Sequence, residues 1–564
     1  MLDTRNKKLL GTITLAALVA VTLVVAPYTL IEPINLPKLL TLAFLSIIMV
    51  SVIAPESKRL INSKYKHLFI ILSLFIIQIL IVLFFSGANI LGQFYGTFGR
   101  NTGALAYLSL VVLLMSSALV SNKEFLTRFA RVTLIVGAIL IIYGVIQNQG
   151  LEPFPFSNLY APLAPIGTFG NLDFQSAFMG IIAVFSFILS LNTNFKPYGR
   201  VLLIIMGFSS IVVIYQTTSK QGYLNLLAGL LVAAILWSFM TKRKSIGISV
   251  AFVGSAGGGL VFLGLFNVGP LANYLFNTSV VARGYYWRAA LKMMTDHPFF
   301  GVGMDGFIDW YRRSRPTDYY ENGFTTFSNT AHNVFLDVAS SGGVPLLLIY
   351  CYIFALVIIA VVKVVKRNDG FDVHFVAMVG AWVAYQAQSL VSINQLGLAI
   401  WGWVLSGLII GYEINTRDEK PERDVSVKNK QPQRKGKVVE QPLSSAALMR
   451  VFGGVILGAL VAIPPYYVNA SFFSALKSGD IEAIKTAAYL KPIDERRLLH
   501  VATIMRDSKM DSEAIAVIRD ATMDYPNSFD FWQLWTSIPT AAPADIAAAK
   551  AQMKRLDPFN PDIK

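Results

Sequence analysis

Charge is scarce in this chain. Only 14% of its 564 residues are Asp, Glu, Lys or Arg, against about 25% in soluble domains, so a water-soluble protein with a charged shell is excluded. Cysteine is scarcer still, with Cys351 alone. That excludes an internal disulfide framework and a cysteine-based zinc cluster. The five histidines are scattered without HExxH or HxxxH spacing, and no DxD pair is present to hold a metal-bound sugar nucleotide. The net charge of +15 points only weakly to nucleic acid, because the basic residues cluster in short loops that a membrane explains better. No nucleic-acid partner and no metal are expected.

What the chain has in excess is apolar sequence: 54% hydrophobic residues and a mean hydropathy of +0.56. Runs of about 18 or more apolar residues recur, each long enough to cross a bilayer as a helix. They predict an all-α, polytopic membrane protein of twelve or thirteen transmembrane helices, near 9–31, 36–54, 67–87, 104–121, 132–148, 174–192, 198–217, 220–240, 245–266, 343–365, 373–390, 393–413 and 449–468. The first run is long and lacks a small-residue cleavage site, so it reads as a retained helix rather than a signal peptide. With the N-terminus in the cytoplasm, every second loop is basic, including PESKRLINSKYKH, SNKEFLTRFAR, NTNFKPYGR and TKRKS. This is the positive-inside pattern, and it places the polar segment 267–343 on the outer face of the 1–413 core.

Basic residues on that outer face then need a reason. They are Arg100, Lys220, Arg283, Arg288, Lys292, Arg312, Arg313 and Arg315. Lys220 alone could snorkel to the interface, but several together favour an anionic ligand such as a diphosphate. For Arg312, Arg313 and Arg315, contact with the membrane surface is the expectation.

Residues 414–448 are charged and poor in apolar side chains, and read as a disordered cytoplasmic linker. After the last span at 449–468, residues 470–564 turn soluble in composition. Pro492, Pro526 and Pro558 recur at about the 34-residue tetratricopeptide period. The tail is expected to be an extracytoplasmic TPR-like repeat domain, either presenting a concave face to a protein partner or forming a plain helical stack.

Within the polar segment, Arg283 to Met294 has a helical pattern, with Trp287, Ala290, Leu291 and Met294 on one apolar face. It is expected to lie at the membrane surface, with Arg283 on the same face. Pro298 ends the helix before a Gly-rich turn, GVGMDGF. In TAHNVFLDVASSGG, His332 opens a second helical pattern, as a capping residue or a catalyst, and Asp337 is an alternative base.

Taken in order, Arg283, Trp287, Pro298, Gly301, Gly303, Phe307, His332, Asn333, Leu336 and Gly343 resemble the signature of the O-antigen ligase and O-antigen polymerase superfamily. Three further segments are similar to that family: GTFGNLDFQSAF with Asn171, TTSKQG with Lys220, and SINQLGLAIWGWVLSGL with Asn394 at its entry. The chain departs from the pattern where Lys220 replaces the usual Arg, Ser341 a common Glu, and Asp173 a common second Asn.

The resemblance covers about residues 95–413. It implies a GT-C-type glycosyltransferase of the bacterial cytoplasmic (inner) membrane. Such an enzyme moves a glycan from undecaprenyl diphosphate to a glycan, lipid or protein hydroxyl, without metal, nucleotide or other cofactor. In that reading His332 is the base. Arg283, Lys220 and Arg288 hold the diphosphate, and Asn333, Trp287, Asn171 and Asn394 support them. Ligase, polymerase and protein O-oligosaccharyltransferase stay open. Outside this class stand a lipid-linked-glycan transporter or flippase, which would need broken helices and mid-membrane charges, and a non-catalytic scaffold working through its tail.

Overall fold

The structure, a computed structural model, describes residues 3–154, 165–325, 327–367, 370–417 and 444–563. The predicted linker 414–448 falls mostly outside the described residues. Among those that are described, the chain is all-helical. Eleven helices are long and apolar enough to cross a membrane. The spans expected near 104–121 and 373–390 are 17-residue helices, Ala104–Val120 and Val373–Ser389. Helices are the reason such runs can be buried in lipid at all, since each satisfies its own backbone polar groups.

Leu396–Thr416 lies at the centre and is almost wholly buried, whereas Lys244–Leu265 lies at the edge and is almost wholly uncovered. Trp401 fills the centre. Its ring meets Phe129 and Phe178, and its indole N–H donates to Thr22 Oγ1 (2.9 Å). That bond satisfies the one polar atom the ring would otherwise bury.

The segment 267–343 is not a loop but a small helical unit with its own core. Helices Thr278–Asp296 and Phe307–Ser314 and the short turn Asp318–Glu321 enclose Tyr285, Tyr286, Met293, Phe307, Tyr311 and Tyr319. Here the expected apolar face shifts. The buried stripe of the first helix is Ala282, Tyr285, Tyr286, Ala289, Ala290 and Met293, while Leu291 is 46% exposed. The tyrosines, weak on a hydropathy scale, supply large rings and so take the core side.

The last long helix runs Ser445–Ser478, past the expected 449–468, and carries the chain without a break into the tail. Five helices follow, from Ile481–Ala488 to Pro543–Leu556, packed on a core that includes Val501, Met505, Ile518, Phe531 and Trp535. The tail lies against the face that carries residues 267–343. Asp3, Asn122 and Asn277 cap their helices through side-chain oxygens, the usual supply of acceptors for unpaired helix N–H groups.

Candidate functional site

Two glycine-bearing segments set the site's frame. The turn Pro298–Gly303 lies alongside residues 340–344 of the helix Val334–Arg367, which is broken at Gly343 (φ 70°). Backbone bonds join them: Val302 N–H to Ser340 O (2.8 Å), Gly303 N–H to Ser341 O (3.2 Å) and Val344 N–H to Pro298 O (2.8 Å). A Cβ on Gly343 would stand 2.5 Å from the Pro298 carbonyl oxygen, and one on Gly301 would strike the Ser340 carbonyl. These glycines therefore serve close backbone approach and do not form a phosphate cradle. Their docking ties the end of helix Thr278–Asp296, which carries Arg283, to the start of Val334–Arg367, which follows His332.

His332 sits just before that helix in the left-handed region (φ 53°). Its turn is held by Asp337, which accepts from Thr330 Oγ1 (2.6 Å) and Ala331 N–H (2.7 Å). Both carboxylate oxygens are so occupied, and Asp337 positions the turn. The imidazole tilts over the Tyr286 ring (centroids 5.3 Å apart), with Nδ1 3.4 Å from Ser328 Oγ and 3.3 Å from Thr330 O. Burial, then the positive charges of Arg100 and Arg283, pull its pKa down to about 4, and the Thr330 carbonyl opposes them. The ring is neutral at pH 7 and the contacts at Nδ1 leave Nε2 to react.

Arg283 reaches across to the turn between Val373–Ser389 and Leu396–Thr416. Its Nε donates to Val391 O (3.1 Å) and its Nη1 to Ser279 Oγ (2.8 Å). Asn333 Nδ2 donates to Leu390 O in the same turn (2.9 Å). Asp173 acts electrostatically on Arg283 and accepts from Ser219 Oγ (2.5 Å), which joins the GTFGNLD and TTSKQG segments. Lys220, next to Ser219, is exposed and donates to Tyr274 O (2.9 Å). Asn171 caps Leu172–Leu189 through Asp173 N–H (2.8 Å). Asn394 is buried, bonded to Tyr385 and Tyr107 (3.1 and 3.2 Å), and holds the Val391 turn from within. Trp287 packs at the edge of the core formed by Tyr285 and Tyr286.

Arg288 stands apart from this group. It pairs with Asp318 (3.5 Å) and lies over the Tyr285 ring (4.6 Å). Five residues from Arg283 on a helix is about 140° of rotation, so the two guanidinium groups leave on different faces.

The expected membrane contact of the arginine run is overturned. Arg315 has no exposed side chain and its Nη2 lies 2.6 and 2.7 Å from the two carboxylate oxygens of Asp557 in the tail. Arg312 pairs with Asp530 (3.4 Å) and Asp557 (3.8 Å). Arg313 lies over the Trp310 ring (3.6 Å). Arg312 and Arg315 dock the tail.

Sequence reasoning noted Arg100 but gave it no place in the site. The loop 96–102 is clasped by half-buried Asp305, whose carboxylate accepts from Thr97 N–H (2.7 Å), Thr102 N–H (3.3 Å) and Thr102 Oγ1 (3.0 Å). Burial lifts the Asp305 carboxyl to about 6, against those bonds and the charge of Arg100. The clasp presents Arg100 to Asn329, whose Oδ1 accepts from Nε (3.0 Å) and Nη2 (2.6 Å), three residues before His332. A basic residue in a glycine-rich loop of an apolar chain was the available signal.

Among the described residues no cluster of His, Cys, Asp and Glu is suited to a metal ion. The assembled groups offer a neutral imidazole that feels the charge of two guanidiniums, Arg100 and Arg283. Residues 202–351 match the family model described as O-antigen ligase. No curated protein matches the chain. The matched segment includes Lys220, Arg283, Trp287, His332 and Asn333, and excludes Arg100, Asn171, Asn394 and the tail.

Proposed function

We propose that the chain transfers a glycan from an undecaprenyl-diphosphate-linked donor to an acceptor hydroxyl at the outer face of the bacterial cytoplasmic membrane. The observation that carries the reading is His332, half-buried, neutral and subject to both Arg100 and Arg283, inside a segment that matches the O-antigen ligases.

The chemistry follows from charge. The acceptor oxygen forms a bond to the anomeric carbon while the bond from that carbon to the phosphate oxygen breaks. Undecaprenyl diphosphate leaves with the bonding electrons, and the hydroxyl proton passes to His332 Nε2. Arg283 and Lys220 face the leaving diphosphate and stabilise its growing negative charge. An imidazole held near 4 is a weak base by itself. The diphosphate supplies the correction: its negative charge beside Arg283 offsets the cation that lowers His332 and moves the ring toward neutral pH when donor is bound.

The test is glycan transfer in cells lacking the native protein, read by mass spectrometry of envelope glycoconjugates. His332→Ala is expected to abolish transfer, a loss of about 10²–10⁴-fold, while the purified variant still binds undecaprenyl diphosphate. Arg283→Ala and Lys220→Ala are expected to weaken donor use. Full transfer by His332→Ala sinks the assignment of the base, and unchanged donor kinetics in both cation variants places the diphosphate elsewhere.

A further inference from the structure

A cavity of about 530 Å³ lies between the tail and the 267–343 unit, walled by both. The volume falls within the roughly 300–1,000 Å³ range of small-ligand sites. Asn101, Asp309 and Asn329 line one wall, and Glu495, Asn527 and Asp530 line the other. The two walls are held together by the buried Arg315–Asp557 pair and by Arg312, whose guanidinium lies between the Phe327 and Phe529 rings (3.6 and 4.0 Å).

One wall leads toward the reacting groups: Asn329 binds Arg100 and stands three residues before His332, which does not itself line the cavity. Arg283 and Lys220 belong to other elements, the helix Thr278–Asp296 and the start of Gln221–Met240. We infer that this cavity is the acceptor site, and that it takes the terminal sugars of a neutral or amino-bearing glycan; the inference rests on the transfer reading above.

Two features select that class. Planar amides and carboxyls are the groups that bind vicinal hydroxyls in pairs, and both walls carry them. The carboxyls of Asp309, Glu495 and Asp530 also repel one another: burial, then the charges of Asp309, Asp494 and Asp530, hold Glu495 well above the ordinary carboxyl range. Six carboxyls line the cavity against three arginines, Arg312, Arg496 and Arg497, and that balance disfavours an acidic sugar.

The experiment uses the full chain in nanodiscs and saturation-transfer NMR with four probes: lactose, a glucosamine disaccharide, digalacturonate and a short lysine-rich peptide. Lactose and the glucosamine disaccharide are expected to bind, and digalacturonate and the peptide to stay silent. Asn527→Trp, which fills the cavity, is expected to abolish the sugar signals without altering undecaprenyl diphosphate binding. Isosteric Glu495→Gln, which keeps the fold if the tryptophan does not, is expected to weaken them by about tenfold or more. Sugar signals that persist in both variants, binding by the peptide or digalacturonate alone, or no sugar binding by the parent protein each overturn the proposal. The two readings fail separately. Failure of the parent protein to restore transfer to cells lacking it removes the transferase reading, whereas transfer lost in His332→Ala but intact in Asn527→Trp removes only the acceptor site.

Discussion

Asp557→Asn removes the charge that faces Arg315 and leaves the guanidinium buried without a counter-ion. In the parent both carboxylate oxygens lie on Arg315 Nη2, at 2.6 and 2.7 Å, and Tyr320 Oη donates to Oδ2 at 3.0 Å. Both charged side chains are fully buried. Breaking such a pair from one side costs about 3–5 kcal/mol, mostly the penalty on the stranded charge. At about 1.4 kcal/mol per decade, the equilibrium for seating the tail falls by a factor on the order of 10² to 10³. Hydrogen–deuterium exchange of the full chain in nanodiscs reads this directly. Exchange should rise in Pro543–Leu556 and in Phe307–Ser314, the helices that flank the pair, and stay unchanged in the central Leu396–Thr416. Replacing both partners, as Arg315→Met with Asp557→Leu, should return exchange most of the way to the parent level, because no charge is then stranded. Unchanged exchange in Asp557→Asn, or a double variant as loose as the single one, refutes the view that this pair locks the tail.

Three further outcomes follow from the site. The acid limb of kcat/KM for donor reports the free enzyme, so it should lie near 4, where His332 is held, and not near 6.5; Arg100→Met removes a nearby positive charge and should move that limb upward. A limb that does not move in the variant excludes Arg100 as a cause. In stability the sign is the same: the unfolded histidine takes up a proton near 6.5 and the folded one only near 4, so the contribution of His332 is complete above 6.5 and is lost as pH falls toward 4. Gly343→Ala places a methyl 2.5 Å from Pro298 O at a left-handed position; it should lower Tm and transfer together, and a variant with native Tm and native transfer contradicts the docking of the two glycine segments.

Much of the fold is legible in the sequence because lipid imposes a one-dimensional rule. Only long apolar helices satisfy their backbone there, and so spans can be counted without knowing any contact. His332 and Arg283 stand out in the sequence for a related reason, as charged or titratable residues in a polar segment of an apolar chain. The apolar face of helix Thr278–Asp296 was read one step off, because Tyr285 and Tyr286 score low in hydropathy yet carry the rings that fill the small core. Arg100 was visible but without a role, since its position depends on Asp305, 205 residues later, closing the loop at Thr97 and Thr102.

By itself, then, the sequence determined the class of solvent, the helical architecture and the residue types available for chemistry, all of which depend on composition and on neighbours a few positions apart. The tertiary structure decided which of those residues meet. It turned Arg315 from a surface charge into the partner of Asp557, 242 residues away, and set Arg288 on Asp318 instead of beside Arg283. It also closed a cavity between two segments that have no local relation. Pairings at such separation are selected by packing and by the cost of leaving buried charge unmatched, and neither quantity exists until the chain has folded.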